Sequence, residues 1–228
     1  MKIVHNTLAL IFTLALILAL LITSVEAVAY WTPGYYEKEY TKYGVAQDVN
    51  MEMEDLLYVT GEMMAYLRGN REDLHVETVI GGQQREFFNQ REILHMEDVR
   101  NLFLAALVIR RVCLLLIAAV LVALLVTKAR VRRVLPKMFQ AGTLLFAVIT
   151  AGLGLLFSTD FTKYFTLFHK IFFTNDLWLL DPRTDLLINI VPEPFFVDTA
   201  LRIAVVFIGS VLILFVISTL FRLADRRK

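Results

Sequence analysis

Apolar and polar positions fall along this chain in long blocks, not at a helical or strand period. Thr7–Ala29, Leu102–Thr127, Met138–Phe157 and Thr199–Phe221 are apolar almost throughout. Each block has about the 20 residues that a helix needs to cross a bilayer core. A helix bonds its own backbone in lipid, so such blocks predict helices and not loops. The chain then divides into residues 1–29 with a first transmembrane helix, a polar segment 30–101, a second helix 102–127 and a short loop 128–137. A third helix 138–157, a longer loop 158–198, and a fourth helix with its tail 199–228 complete it.

Inside the polar segment the period changes. Leu56, Leu57, Val59, Met63, Met64 and Leu67 recur at helical spacing, between Asn50 as an expected N-cap and Gly69 as an expected stop. His75–Ile80 alternates as a strand does. Gly81 and Gly82 then permit a turn, and Arg85–Phe88 can return as the partner strand. Ile93–Leu104 predicts a helix that runs into the second span. The fold class expected is an α-helical membrane protein, a four-transmembrane-helix bundle with a small extracytosolic α+β cap.

Composition agrees. Of 228 residues, 57% are hydrophobic and 20% charged, an apolar excess that one soluble core of this size does not hide. The net charge of +1 offers no basic field for nucleic acid. With one cysteine no disulfide can form within the chain. Cys113, beside Val112 and Leu114, reads as a small packing residue.

Charge sets the expected orientation. Lys128–Lys137 holds five bases and no acid, and Arg222–Lys228 holds four bases and one acid. Residues 30–101 hold seven Lys/Arg against fourteen Asp/Glu, and residues 158–198 hold three against six. The positive-inside rule places both termini and the basic loop in the cytoplasm and the two longer segments outside. Ala27-Val-Ala29 resembles a signal-peptidase site. The full spanning length of the first block and the nearby Glu26 favour an uncleaved anchor.

The second outer loop carries Phe161, Tyr164, Phe165, Phe168, Phe172, Phe173, Trp178, Phe195 and Phe196. Interleaved with them are Asn175, Asp176, Asp181, Arg183, Asp185 and Glu193. Such density suits the membrane interface, but anionic lipids repel carboxylates, so a plain lipid anchor would favour bases. Both a site roofed by aromatics and a tightly folded cap fit this pattern. Two histidines fall in these outer regions. His95 lies about two turns before the second span, with Asp98 at i+3 to orient it. His169 lies beyond the third span. His5 and His75 read as interfacial and surface residues.

Other chemistries have thin support. Of four serines only Ser158 is near the outer loops, and no G-x-S-x-G elbow surrounds it. No tight metal-ligand spacing occurs, so no metal is expected. Arg110 and Arg111 interrupt the second span near its outer end. They can snorkel to lipid phosphates or bind an ester oxygen or headgroup.

The stretches HMEDVRNLF at His95–Phe103 and FHKIFFTNDLWLLDPRTDLLINIVPEPFF at Phe168–Phe196 resemble the lipoprotein intramolecular transacylases of low-GC Gram-positive bacteria. Span order, cap size and the aromatic run Tyr35–Tyr43 also fit that family. The resemblance implies a cell-membrane enzyme acting on diacylglyceryl-modified lipoproteins. The sn-2 acyl chain of the N-terminal cysteine would move to the α-amine of the same cysteine. No cofactor is implied, because the ester is already an activated acyl group. In these terms His169 is expected as base and His95, oriented by Asp98, as acid or oxyanion partner. Asn175, Asp176, Trp178 and Asp181 would support the loop, and Arg110, Arg111, Phe172 and Phe173 would bind substrate. The residues themselves allow two rivals. One is a non-catalytic lipid- or lipoprotein-binding or sensory membrane protein. The other is a different lipid acyltransferase or hydrolase, whose mark would be a nucleophilic serine or an H-x-x-x-x-D arrangement, and no histidine here has Asp at i+5. The near absence of ionisable residues at mid-span argues against an ion path.

Overall fold

The computed structural model describes residues 1–226; the side chains at 153, 156–158, 161 and 226 lie outside the described residues, and with them the hydroxyl of Ser158 and the ring of Phe161. The elements run α1 (Lys2–Trp31), α2 (Tyr35–Tyr43), α3 (Val45–Asp48), α4 (Met53–Leu67), β1 (Glu77–Ile80), β2 (Gln83–Glu86) and α5 (Gln90–Val126). They continue with α6 (Val131–Thr159), α7 (Phe161–Phe172), α8 (Leu186–Ile190) and α9 (Glu193–Arg226). Helices α1, α5, α6 and α9 are long and apolar enough to cross a membrane. The chain forms two compact units.

One unit comprises residues 1–25, 107–165 and 203–226. Small residues pack its interior at one contact and large ones at another. Ala15 and Ala19 of α1 pack on Cys113 of α5, the small-residue contact expected of that cysteine. Ile17 of α1 packs with Phe207 and Val211 of α9 and with Phe146 of α6. A Cβ on Gly142 would come within 2.7 Å of Thr13 Cγ2, so α6 approaches α1 there only because glycine lacks one. Leu115, Val126 and Val205 are exposed, as lipid-facing residues must be.

The turn after α5 corrects one boundary. Lys128 takes a left-handed φ of 53°. Lys128 N donates to Leu125 O and Ala129 N to Leu124 O, a Schellman closure built on lysine instead of glycine. The helix α6 then starts at Val131. Arg132, Arg133 and Lys137, expected in a ten-residue loop, lie on its first turns.

The other unit comprises residues 26–106 and 166–202. Its core holds Tyr40, Val45, Leu56, Val59, Leu74, Val76, Phe87, Phe88 and Ile190. Gly69 ends α4 as expected, with Asn70 N bonded to Ala65 O. Asn50 does not cap α4. It has φ 53°, its N–H donates to Gln47 O, and Met51 N donates to Ala46 O, which closes α3 from behind. Asparagine tolerates this left-handed position better than most residues, and Glu52 stands at the α4 N-cap instead.

The hairpin is as expected in type but two residues early in register. Ile80 pairs with Gln83 across Gly81 and Gly82, both at positive φ, as a two-residue turn needs. Phe87 and Phe88 therefore fall beyond the strand and enter the core. The segment 158–198, expected as a loop, contains α7 and α8. Phe161, Phe165, Phe168 and Phe172 recur at spacings of three and four, a helical period that aromatic density obscured.

Candidate active site

The start of α5 is held from both ends of one carboxylate. Asn89 N donates to Glu92 Oε2 at 2.6 Å and Glu92 N donates to Asn89 Oδ1 at 3.0 Å, a reciprocal capping box. Glu92 Oε1 accepts Leu187 N at 2.6 Å, so the same side chain anchors α8. Burial raises its carboxyl pKa, while the N–H donors pull against that shift. Asn89 Nδ2 reaches Asp185 Oδ1 at 2.8 Å, and Asp185 Oδ2 accepts Asp181 N at 2.7 Å. These bonds fix α5 against the segment that follows α7.

His95 stands in the second turn of α5, and His169 in the last turn of α7. Both are only 7% exposed. Their ring centroids are 6.1 Å apart. Phe173, just past α7, lies 5.5 Å from each imidazole. Trp178 lies 4.9 Å from His169 at an interplanar angle of 30°, and Phe168 adds an edge at 5.4 Å. Two imidazoles thus share an aromatic enclosure.

Burial lowers the His95 pKa from 6.5 to about 4, reinforced by His169 and Arg91 and opposed by Asp98. At neutral pH His95 is therefore neutral. Its Nδ1 is buried and has no hydrogen-bond partner among the described residues. A neutral imidazole of this kind does not store a proton, but it can offer one N–H to an oxygen that gains charge.

The supporting residues divide. Asp98 accepts Asn175 Nδ2 at 2.8 Å, a bond between α5 and the segment after α7. Asn175 also accepts Leu177 N through Oδ1 and Trp178 Nε1 through its carbonyl, at 3.1 and 3.0 Å. Asp98 thus fixes the loop that carries Trp178, and its effect on His95 is through charge. The Asp176 side chain is exposed, while its carbonyl accepts Arg91 Nη2. Asp181 pairs with Arg183 at 2.6 Å; that hydrogen-bonded guanidinium lowers the carboxyl pKa to about 2. Phe172 is exposed and packs on Phe168 at 4.7 Å. Arg110 is half-buried and Arg111 exposed on α5, within the other unit.

A model of the Lit family, the lipoprotein intramolecular transacylases, matches residues 10–196. The chain belongs to that family. It is an enzyme and a multi-pass membrane protein, which sets aside the non-catalytic rival. Its fold matches the in meso structure of the membrane-integral Lit from Bacillus cereus at a TM-score of 0.82, with 19% identity and all of both chains covered. A variant of that protein with one histidine changed to alanine matches at 0.79, with 20% identity, over 100% of this chain and 97% of that one. No curated protein matches the chain.

Within this Lit chain, the sequence alone does not single out Asn89, Glu92 or Arg91. The first two had a signal, an Asn-x-x-Glu capping pattern before a periodic run. Arg91 had none, since its place one turn before His95 becomes informative only once Asp176 is seen beside it.

Proposed function

We propose that this Lit enzyme moves the sn-2 acyl chain of a diacylglyceryl-cysteine to the α-amine of the same cysteine. The supporting observation is the pair of buried imidazoles with ring centroids 6.1 Å apart under Phe173 and Trp178. The amine nitrogen attacks the ester carbonyl carbon. An N–C amide bond forms, and the bond from the carbonyl carbon to the sn-2 oxygen breaks. One amine proton passes to that glycerol oxygen. Amine and ester belong to one molecule, so positioning alone supplies several kcal/mol, up to about 7–11 in the best-oriented cases.

An α-amine of pKa about 8 is partly neutral at neutral pH. His169 takes its proton and returns it to the leaving oxygen. His95, held neutral, turns Nδ1–H toward the oxyanion. This is the oxyanion half of the two roles its position allows, and the depressed basicity favours it over storage of a proton. Asp98 and Asn175 hold the loop that carries Trp178. Phe172 and Phe173 face the acyl chain; in the other unit, Arg110 and Arg111 bind a lipid headgroup. Both termini are cytoplasmic and the dyad works on the extracytosolic side. Membrane lipid surrounds the spans.

The test is mass spectrometry of the N-terminal peptide of a lipoprotein made with this enzyme in a host without its own N-acylating enzymes. The expected product carries an N-acyl chain and an S-monoacylglyceryl group. An unchanged free-amine, diacylglyceryl peptide overturns the proposal.

A further inference from the structure

We infer that the cleft beside the start of α5 is the subsite for the polypeptide that follows the lipidated cysteine; this rests on the transacylase geometry proposed above. The cleft has a volume of about 310 Å³, near the lower end of ligand pockets. Arg85 and Glu86 of β2, Asn89 and Glu92 at the α5 start, and Pro182 and Thr184 after α7 line it.

Three observations lead to this occupant. The first is continuity. Glu92 precedes His95 by three residues, so both share one face of α5, about 4.5 Å apart along its axis. An extended chain covers about 3.3–3.6 Å per residue. A cysteine whose amine lies at the dyad therefore places its first or second following residue in the cleft. A lipoprotein is tethered at that cysteine, and its polypeptide must leave the site by some such path.

The second is the sheet edge. Among the described residues β2 pairs only with β1, and all four of its side chains are exposed. In the hairpin register Arg85 turns its backbone groups to Thr78 of β1, and Glu86, the next residue and also at the cleft, turns its own outward. An extended peptide can add there as a third strand. Main-chain recognition suits substrates that share a lipidated cysteine and differ beyond it. The third is rigidity. Glu92, which lines the cleft, already bonds to two backbone N–H groups, and Asp185 behind it holds the lining residues Asn89 and Thr184 and accepts Asp181 N. The walls are preformed and need no ordering by substrate. A larger cleft beside Asn50, Asp55 and Gly81 shares no element with the dyad and has no such continuity.

The experiment uses the full-length enzyme in mixed micelles and two synthetic substrates. One is diacylglyceryl-cysteine amide; the other continues for four further residues. Mass spectrometry follows N-acyl product. The extended substrate is expected to show about tenfold higher kcat/KM, through KM. That ratio is expected to fall to about one in Thr184→Trp and in Pro182→Trp, which fill the cleft from different positions. A photoreactive residue at the third position should crosslink within 83–89 or 182–186. A wild-type ratio near one, or a ratio unchanged in both variants with crosslinks elsewhere, overturns the inference and leaves the transacylase reading standing. Acylation of neither substrate by the wild type overturns the reading beneath it.

Discussion

At the residue scale the chemistry rests on two imidazoles in unlike settings. Replacing either His95 or His169 by alanine should lower turnover by about 10²–10⁴-fold, the range for a lost acid–base group. Product formation by mass spectrometry checks this, with unfolding midpoints to show that the fold survives. His95 also leaves a mark on stability. Its folded pKa of about 4 lies below the ordinary 6.5. The unfolded chain therefore binds the proton first as pH falls, and the folded state loses stability between pH 6.5 and about 4. Above pH 6.5 the contribution is fully present. The groups that face His95 are His169, Asp98 and Arg91. Wild type minus His95→Phe, measured as unfolding midpoint against pH, should isolate this slope. A flat difference would show that His95 is not held neutral. Phe173 was expected to bind substrate; its contact with both imidazoles was not legible in sequence, because that contact depends on its place just after α7.

At the scale of elements, the caps decide more than the apolar pattern. Glu92 closes the start of α5 and also bonds α8. Glu92→Ala should remove a cap worth about 1 kcal/mol and leave the buried Leu187 N–H unpaired, a further 1–3 kcal/mol or so. Thermal unfolding reads the loss, and activity should fall with it because His95 stands one turn further on. Asn50 shows why such residues mislead from sequence. It is a favoured residue at N-caps and also tolerates a left-handed φ, and the chain uses it for the second purpose. The four apolar blocks posed no such choice, and each became a helix.

At the scale of the molecule, the bias of basic residues predicts the orientation in the membrane. With Cys113 replaced by alanine, single cysteines at Gln83 and Lys128 should label from opposite sides of intact cells. A membrane-impermeant thiol reagent should reach Gln83→Cys from outside and should not reach Lys128→Cys. Reversed labelling would invert the topology that the charge bias predicts. What the sequence by itself determined was the set of spans, their order and the residue types available for acyl transfer. Each of those is a local property, since burial in lipid is settled by some twenty consecutive side chains. The tertiary structure decided the meeting of His95 with His169, the neutral state of His95, and the cleft at Glu92. Those depend on bonds between segments distant in sequence, such as Asn175 to Asp98 and Leu187 to Glu92, and no local pattern encodes a partner that far along the chain.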